Sequence, residues 1–123
     1  MLKRAPARSR PRYGRDIAEA VAAAQEKQAE DLLLLDLRPL ASFTDYFLIA
    51  TGRSQRQTQA IATEVEEKLR VGRRRAALNV EGYQRGEWIL MDYGDFIVHV
   101  FMPPAREYYG LERVWGDAKK TTL

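Results

Sequence analysis

Between Glu87 and Phe101 the chain reads as two short apolar runs, Trp-Ile-Leu-Met and Phe-Ile-Val-His-Val-Phe, around Asp92-Tyr93-Gly94-Asp95. β-Branched and aromatic runs separated by three residues that include glycine predict a β-hairpin, with Tyr93-Gly94-Asp95 as its loop. With Asp92 opposite Phe96, Trp88, Leu90, Phe96, Val98 and Val100 share one face. Ile89, Met91, Ile97, His99 and Phe101 share the other. Both faces are mostly apolar. A hairpin open to water on one side would alternate with polar residues, so cover on both sides is expected, within an α/β layer structure. Asp92, Asp95 and His99 interrupt the runs and are the first candidates for function.

Elsewhere the period alternates between helix and strand. Asp16 with Glu19 resembles a capping box, and Ile17, Ala20, Val21 and Ala24 follow at helical spacing, predicting a helix from Asp16 to about Glu30. Leu32 to Leu37 is a continuous apolar run, read as a central strand. A connection with Pro39 and Ser42 leads to a second strand, Tyr46 to Ala50. Ser54 can cap a helix whose stripe is Ile61, Val65 and Leu69, with Ala62 beside it and Gly72 as the stop. A short apolar piece, Ala76 to Val80, precedes the hairpin. Pro104 can open a last helix in which Tyr108, Leu111 and Trp115 lie on one face. Lys119 to Leu123 reads as a frayed end. The order is α-β-β-α-β-β-β-α, an α/β fold with a mixed sheet of about five strands and helices packed on it.

Composition changes this picture at one place only. The 123 residues suit one domain with one core. There is no cysteine, which removes disulfides, thiolate metal sites and a thiol nucleophile; this fits a reducing compartment, and the expected location is the cytoplasm. The longest apolar run, Leu32 to Leu35, is far below the ~20 residues that span a bilayer, so no membrane is expected. The net charge is +3, yet five of the twenty basic residues lie in Met1 to Gly14 with no acid among them. The remaining fifteen face seventeen acidic residues, so the domain itself carries −2. The expected organisation is a disordered basic leader at 1–14, a domain at 15–117 and a flexible tail at 118–123. The leader reads as a solvated segment, an electrostatic arm for ribosomal RNA, or a short transit peptide.

The chemistry-bearing residues give no catalytic set. His99 is the only histidine and sits mid-strand, and Ser42 and Ser54 lie in turns without an elbow motif. His99 is read as a bonded core histidine or as a contact for a partner. Asp36, Asp45, Asp92 and Asp95 offer oxygen ligands for magnesium, but turns favour aspartate for its bonds to local amides. Thr51-Gly52-Arg53-Ser54 opens a helix, where free amides suit phosphate, yet it lacks the lysine of a P-loop and the further glycines of a dinucleotide fingerprint. Arg73-Arg74-Arg75 reads as a solvated helix end or as a contact for RNA phosphate. Trp88, Tyr93, Tyr108, Tyr109 and Trp115 are either core or an interface, since hot spots favour Trp and Tyr.

Taken in order, these pieces resemble one family. They are Thr44-Asp45-Tyr46-Phe47-Leu48-Ile49-Ala50-Thr51-Gly52-Arg53-Ser54, Gln57, Ala60-Ile61-Ala62, Glu81-Gly82, Trp88 to Phe101, and Arg106-Glu107-Tyr108-Tyr109-Gly110-Leu111-Glu112-Arg113-Val114-Trp115. The chain is similar to the Iojap-like ribosomal silencing factors from about Asp16 to Asp117. The resemblance implies a nucleotidyltransferase-like mixed sheet without that activity and without a cofactor. It implies binding to the large ribosomal subunit at large-subunit ribosomal protein fourteen. Occupying that face blocks joining with the small subunit when nutrients are scarce. Trp88, Asp92, Tyr93 and His99 are the implied contact residues near the hairpin, with Tyr109, Leu111, Glu112 and Trp115 on the last helix. A self-paired dimer is compatible with such a patch. The rival expectation is a nucleotidyltransferase-type nucleotide-binding enzyme, although Asp92 and Asp95 flank a turn rather than lining a strand.

Overall fold

The computed structural model describes residues 13–123. The leader expected at 1–14 therefore lies almost wholly outside the described residues. Four helices and six strands follow: α1 (Arg15–Glu26), β1 (Glu30–Asp36), β2 (Tyr46–Thr51), α2 (Gln55–Gly72), β3 (Asn79–Glu81), β4 (Trp88–Asp92), β5 (Phe96–Phe101), α3 (Pro103–Tyr109), α4 (Leu111–Val114) and β6 (Lys119–Thr122). The strands form one mixed sheet in the order β3-β4-β5-β2-β1-β6. Its central pair, β2 and β5, is parallel, and every other pairing is antiparallel.

The sheet separates two apolar cores. On one face, α1 and α2 bring Ile17, Ala20, Ala24, Ile61, Val65 and Leu69 onto Leu34, Leu48, Ala50, Ile89, Met91, Phe96, Val98 and Val100. Burying a Leu, Ile, Val, Phe or Met side chain is worth about 1.5–3 kcal/mol, so this stripe-on-sheet contact is a large part of the fold's stability. On the other face Leu35, Leu37, Phe47, Ile49, Ile97 and Phe101 are covered by Ala105, Leu111, Trp115 and Ala118. That cover is incomplete, because Trp88 and Leu90 are only half-buried.

Several expectations need correction. The hairpin pairs Asp92 with Ile97, not Phe96. Tyr93 N–H donates to Phe96 O at 3.0 Å, so the loop is the two residues Gly94-Asp95. Gly94, at φ 93, fills the first loop position, where a two-residue turn calls for positive φ. One residue of slip moves a whole strand to the other face. Trp88 and Leu90 thus share their face with Ile97, His99 and Phe101. Ile89 and Met91 share theirs with Phe96, Val98 and Val100.

The first helix is shorter than expected. Gly14 takes the capping position without a side-chain bond, and Asp16 lies inside the first turn. The last helix is broken at Gly110, whose left-handed φ of 55 ends α3 and starts α4. Tyr108 therefore points to solvent, 78% exposed, instead of aligning with Leu111 and Trp115. The segment read as a frayed tail is β6, antiparallel to β1 from Leu33↔Thr122 to Asp36↔Lys119. Its polar Lys-Lys-Thr-Thr sequence hid it, because an edge strand exposed on both faces has no apolar pattern.

Candidate functional site

The half-covered face of the sheet carries an aromatic cluster built from four separate elements. Trp88 enters it from β4, His99 and Phe101 from β5, Phe47 from β2, and Tyr109 from α3. Trp88 stacks on Phe101 with ring centroids 5.0 Å apart and meets Tyr109 at 4.5 Å. Phe47 meets His99 edge-on at 4.4 Å. Trp115 closes the far side against Phe47 and Phe43, at 6.0 Å from each. Such rings at these separations attract beyond their area burial. Phe43 is 58% exposed and Tyr109 47%, so the cluster reaches water at two edges. Phe43 went unnoticed in the sequence because it lies in the β1–β2 connection, outside any periodic run; an aromatic residue in a Pro- and Ser-containing loop was the available signal.

His99 sits at the centre and is buried. Its Nδ1 accepts a hydrogen bond from Trp88 Nε1 at 3.0 Å, while its Nε2 has no partner. Burial pushes its pKa down to about 3, so the imidazole is neutral.

The residues implied by the resemblance fall into three groups. Trp88, His99, Tyr109, Leu111 and Trp115 meet on this face. Asp92 lies at the end of β4 and is used in the turn, where Oδ1 accepts from Gly94 N at 2.8 Å. Glu112 is paired with Arg106 at 3.0 Å, and Arg106 also donates to Thr51 Oγ1 at 2.7 Å, which fixes α4 to the end of β2. Tyr93 is apart from the rest. It is buried on the opposite face, stacked on Phe96 at 5.0 Å, and burial pushes its pKa up to about 12.

The other candidates are occupied by the fold. Arg75 donates to Asp16 at 2.7 Å, to Asp95 at 2.8 Å and to Tyr93 O at 2.6 Å, and its guanidinium lies 5.3 Å from the Phe96 ring centroid. Arg73 donates to Asp16 at 2.6 Å. Burial raises the Asp16 carboxyl, but the hydrogen bonds from Arg75 and Arg73 outweigh it and hold the pKa below the ordinary value. Two of the three arginines thus pin α1 and the hairpin turn to the end of α2.

The loop before α2 is equally committed. Ser54 Oγ caps Gln57 N at 3.1 Å, and Gln57 Oε1 accepts from Arg53 N at 2.8 Å. Gln57 Nε2 donates to the carbonyls of Lys27 and Gln28 at the end of α1. A Cβ on Gly52 would sit 2.9 Å from Thr58 Cγ2, so this glycine permits close helix packing rather than leaving a phosphate cradle. Asp36 accepts from Arg38 through both oxygens, at 2.9 and 2.7 Å. Among the described residues, no three His, Cys, Asp or Glu side chains are grouped to hold a metal ion. Nor is any helix there long and apolar enough to cross a membrane.

Comparison with known proteins places the chain as a whole. The family model described as "Ribosomal silencing factor during starvation" matches residues 11–123. Ribosomal silencing factor RsfS of Bacillus subtilis (strain 168) is 43% identical over 104 residues, 85% of this chain and 87% of its own length. Mitochondrial assembly of ribosomal large subunit protein 1 of Mus musculus is 28% identical over 102 residues, covering 81% of this chain and 45% of that protein. The crystal structure of protein CV0518 from Chromobacterium violaceum aligns with a TM-score of 0.79 at 37% identity, covering 82% of this chain and 83% of that one. With the matched region spanning the whole sheet and both cores, the chain belongs to the family of ribosomal silencing factors, ribosome-associated regulators of translation.

Proposed function

We propose that this protein docks on the large ribosomal subunit, at large-subunit ribosomal protein fourteen, through the aromatic face around Trp88, and that the bound protein keeps the small subunit from joining. The observation that carries the reading is the incomplete cover of that face. Phe43 and Tyr109 stand out of it, with half-buried Trp88 between Tyr109 and His99. Large aromatics at the centre of a partly dry surface are the residues that dominate interface energies. A relative's name that includes the large subunit supports that choice of partner. The word "starvation" in the family description supports action under nutrient limitation. The mechanism is steric and needs no bond-making. It acts in the cytoplasm, where subunits exchange.

Co-sedimentation with separated subunits, followed by a joining assay, tests this reading. The expected result is selective binding to the large subunit and reduced joining. Trp88→Ala should weaken binding by ~2 kcal/mol or more while the chain stays folded. Normal binding by that variant would place the docking surface elsewhere. The nucleotide-binding alternative loses its support at the α2 cap, where Ser54 and Gln57 use the local donors and acceptors themselves. Calorimetry with a nucleoside triphosphate and magnesium would restore it if binding were seen.

A further inference from the structure

His99 is an uneconomical choice for its position. It is 3% exposed, and phenylalanine or leucine would fill the same space without polar atoms. Its Nδ1 accepts from Trp88, so the proton of the neutral ring is on Nε2, and that N–H is buried without a hydrogen-bond partner. An unsatisfied buried donor destabilises a fold. Stability alone therefore does not account for a histidine here.

The one thing the imidazole supplies that an apolar ring would not is an acceptor for the Trp88 indole. Trp88 is half-buried, with Phe101 and Tyr109 against its faces. In the structure its N–H goes to His99 Nδ1, not to the Tyr109 hydroxyl. Without His99 the indole N–H would lose this partner and would have to turn toward water or another acceptor, out of its present direction. Leu90, not Trp88, is directly opposite His99, so the bond runs diagonally across the β4–β5 pair and sets the direction of the Trp88 side chain as well as its depth.

We infer that His99 is a positioning residue: it does not touch the partner but holds Trp88 in the orientation in which the aromatic face docks. The inference rests on the reading of that face as the docking surface. A side chain already fixed before binding does not have to be ordered during it, and this is where affinity is gained.

The test uses His99→Phe in the full chain, with His99→Gln as the variant that keeps an acceptor. Three quantities are measured: thermal stability, hydrogen exchange of the Trp88 indole N–H by NMR (assigned against Trp115→Phe), and binding to isolated large subunits. His99→Phe is expected to be at least as stable as the parent, to exchange its Trp88 indole proton faster, and to bind ~3- to 10-fold more weakly, the cost of ordering one side chain on binding. His99→Gln is expected to recover part of the binding. A purely structural histidine would instead lower stability and leave the binding of the folded fraction unchanged, which overturns the inference. Unchanged indole exchange in His99→Phe overturns it as well. If the parent protein itself binds no large subunit, the docking reading fails, and the indole exchange still reports whether His99 holds Trp88.

Discussion

At the scale of single residues, the two orphaned buried side-chain atoms among the described residues, His99 Nε2 and Tyr93 Oη, both mark a cost of burial, and only that of His99 depends on pH near neutrality. Tyr93 is buried on the helix-covered face with its hydroxyl unpartnered, so Tyr93→Phe removes a desolvated group and nothing else. Urea unfolding should show that variant equal to the parent or more stable by up to ~1 kcal/mol. His99 makes stability depend on pH. Its folded pKa of about 3 lies below the ordinary 6.5, so between these values the unfolded chain binds a proton that the folded chain does not. Stability therefore rises with pH in that window, is complete above 6.5, and is lost on acidification by ~1.4 kcal/mol per unit. Urea midpoints measured from pH 7 to pH 5 should fall in the parent. In His99→Phe that part of the slope should vanish.

At the scale of elements, the connections between segments distant in sequence matter more than the segments themselves. Arg75 follows α2, yet it holds Asp16 of α1 and both Asp95 and the Tyr93 carbonyl at the hairpin turn. Arg75→Ala leaves two carboxylates without that partner. It should cost ~2 kcal/mol in urea unfolding, with faster hydrogen exchange at the Gly94–Phe96 amides. None of this was legible from Arg73-Arg74-Arg75, because a charge run does not name its partners. What periodicity did reveal was burial. The Ile61, Val65 and Leu69 stripe and the Ser54 cap are where the spacing placed them. The hairpin was legible as a hairpin but not in its register. Tyr93 looked like loop, whereas its N–H closes the ladder against Phe96. Recognition by family resemblance pointed to the residues around Trp88. It could not separate Tyr93 from them, since Tyr93 was read as part of the loop, where strand alternation assigns no face.

For the molecule as a whole, the two faces of the sheet have different duties. The helix-covered face is closed by α1 and α2, while the other is only half-covered by α3, α4 and the β1–β2 connection. Substitutions on the first should change stability and leave subunit binding by the folded protein intact. At the exposed rim of the second they should do the reverse, whereas its buried Leu35, Ile49 and Phe101 carry stability as well. Tyr109→Asp and Phe43→Asp, both at exposed rims of the cluster, should each weaken co-sedimentation with the large subunit at least ~5-fold, by about 1 kcal/mol, with melting temperatures close to the parent's.

The pairing of β2 with β5 also decides when the molecule can exist. The two strands meet in parallel as Tyr46↔Phe96 through Thr51↔Phe101, so the middle of the sheet joins segments fifty positions apart. Everything up to Gly72 can already assemble as a helix pair on the β1–β2 ribbon. That half-made object carries Leu48 and Ile49 on an unsatisfied strand edge until β5 arrives. Chain growth thus passes through a sticky stage whose length is set by the time needed to make residues 73 to 101. Slow translation of that stretch exposes the nascent protein to aggregation for longer, so a regulator of protein synthesis is itself sensitive to the pace at which it is synthesised.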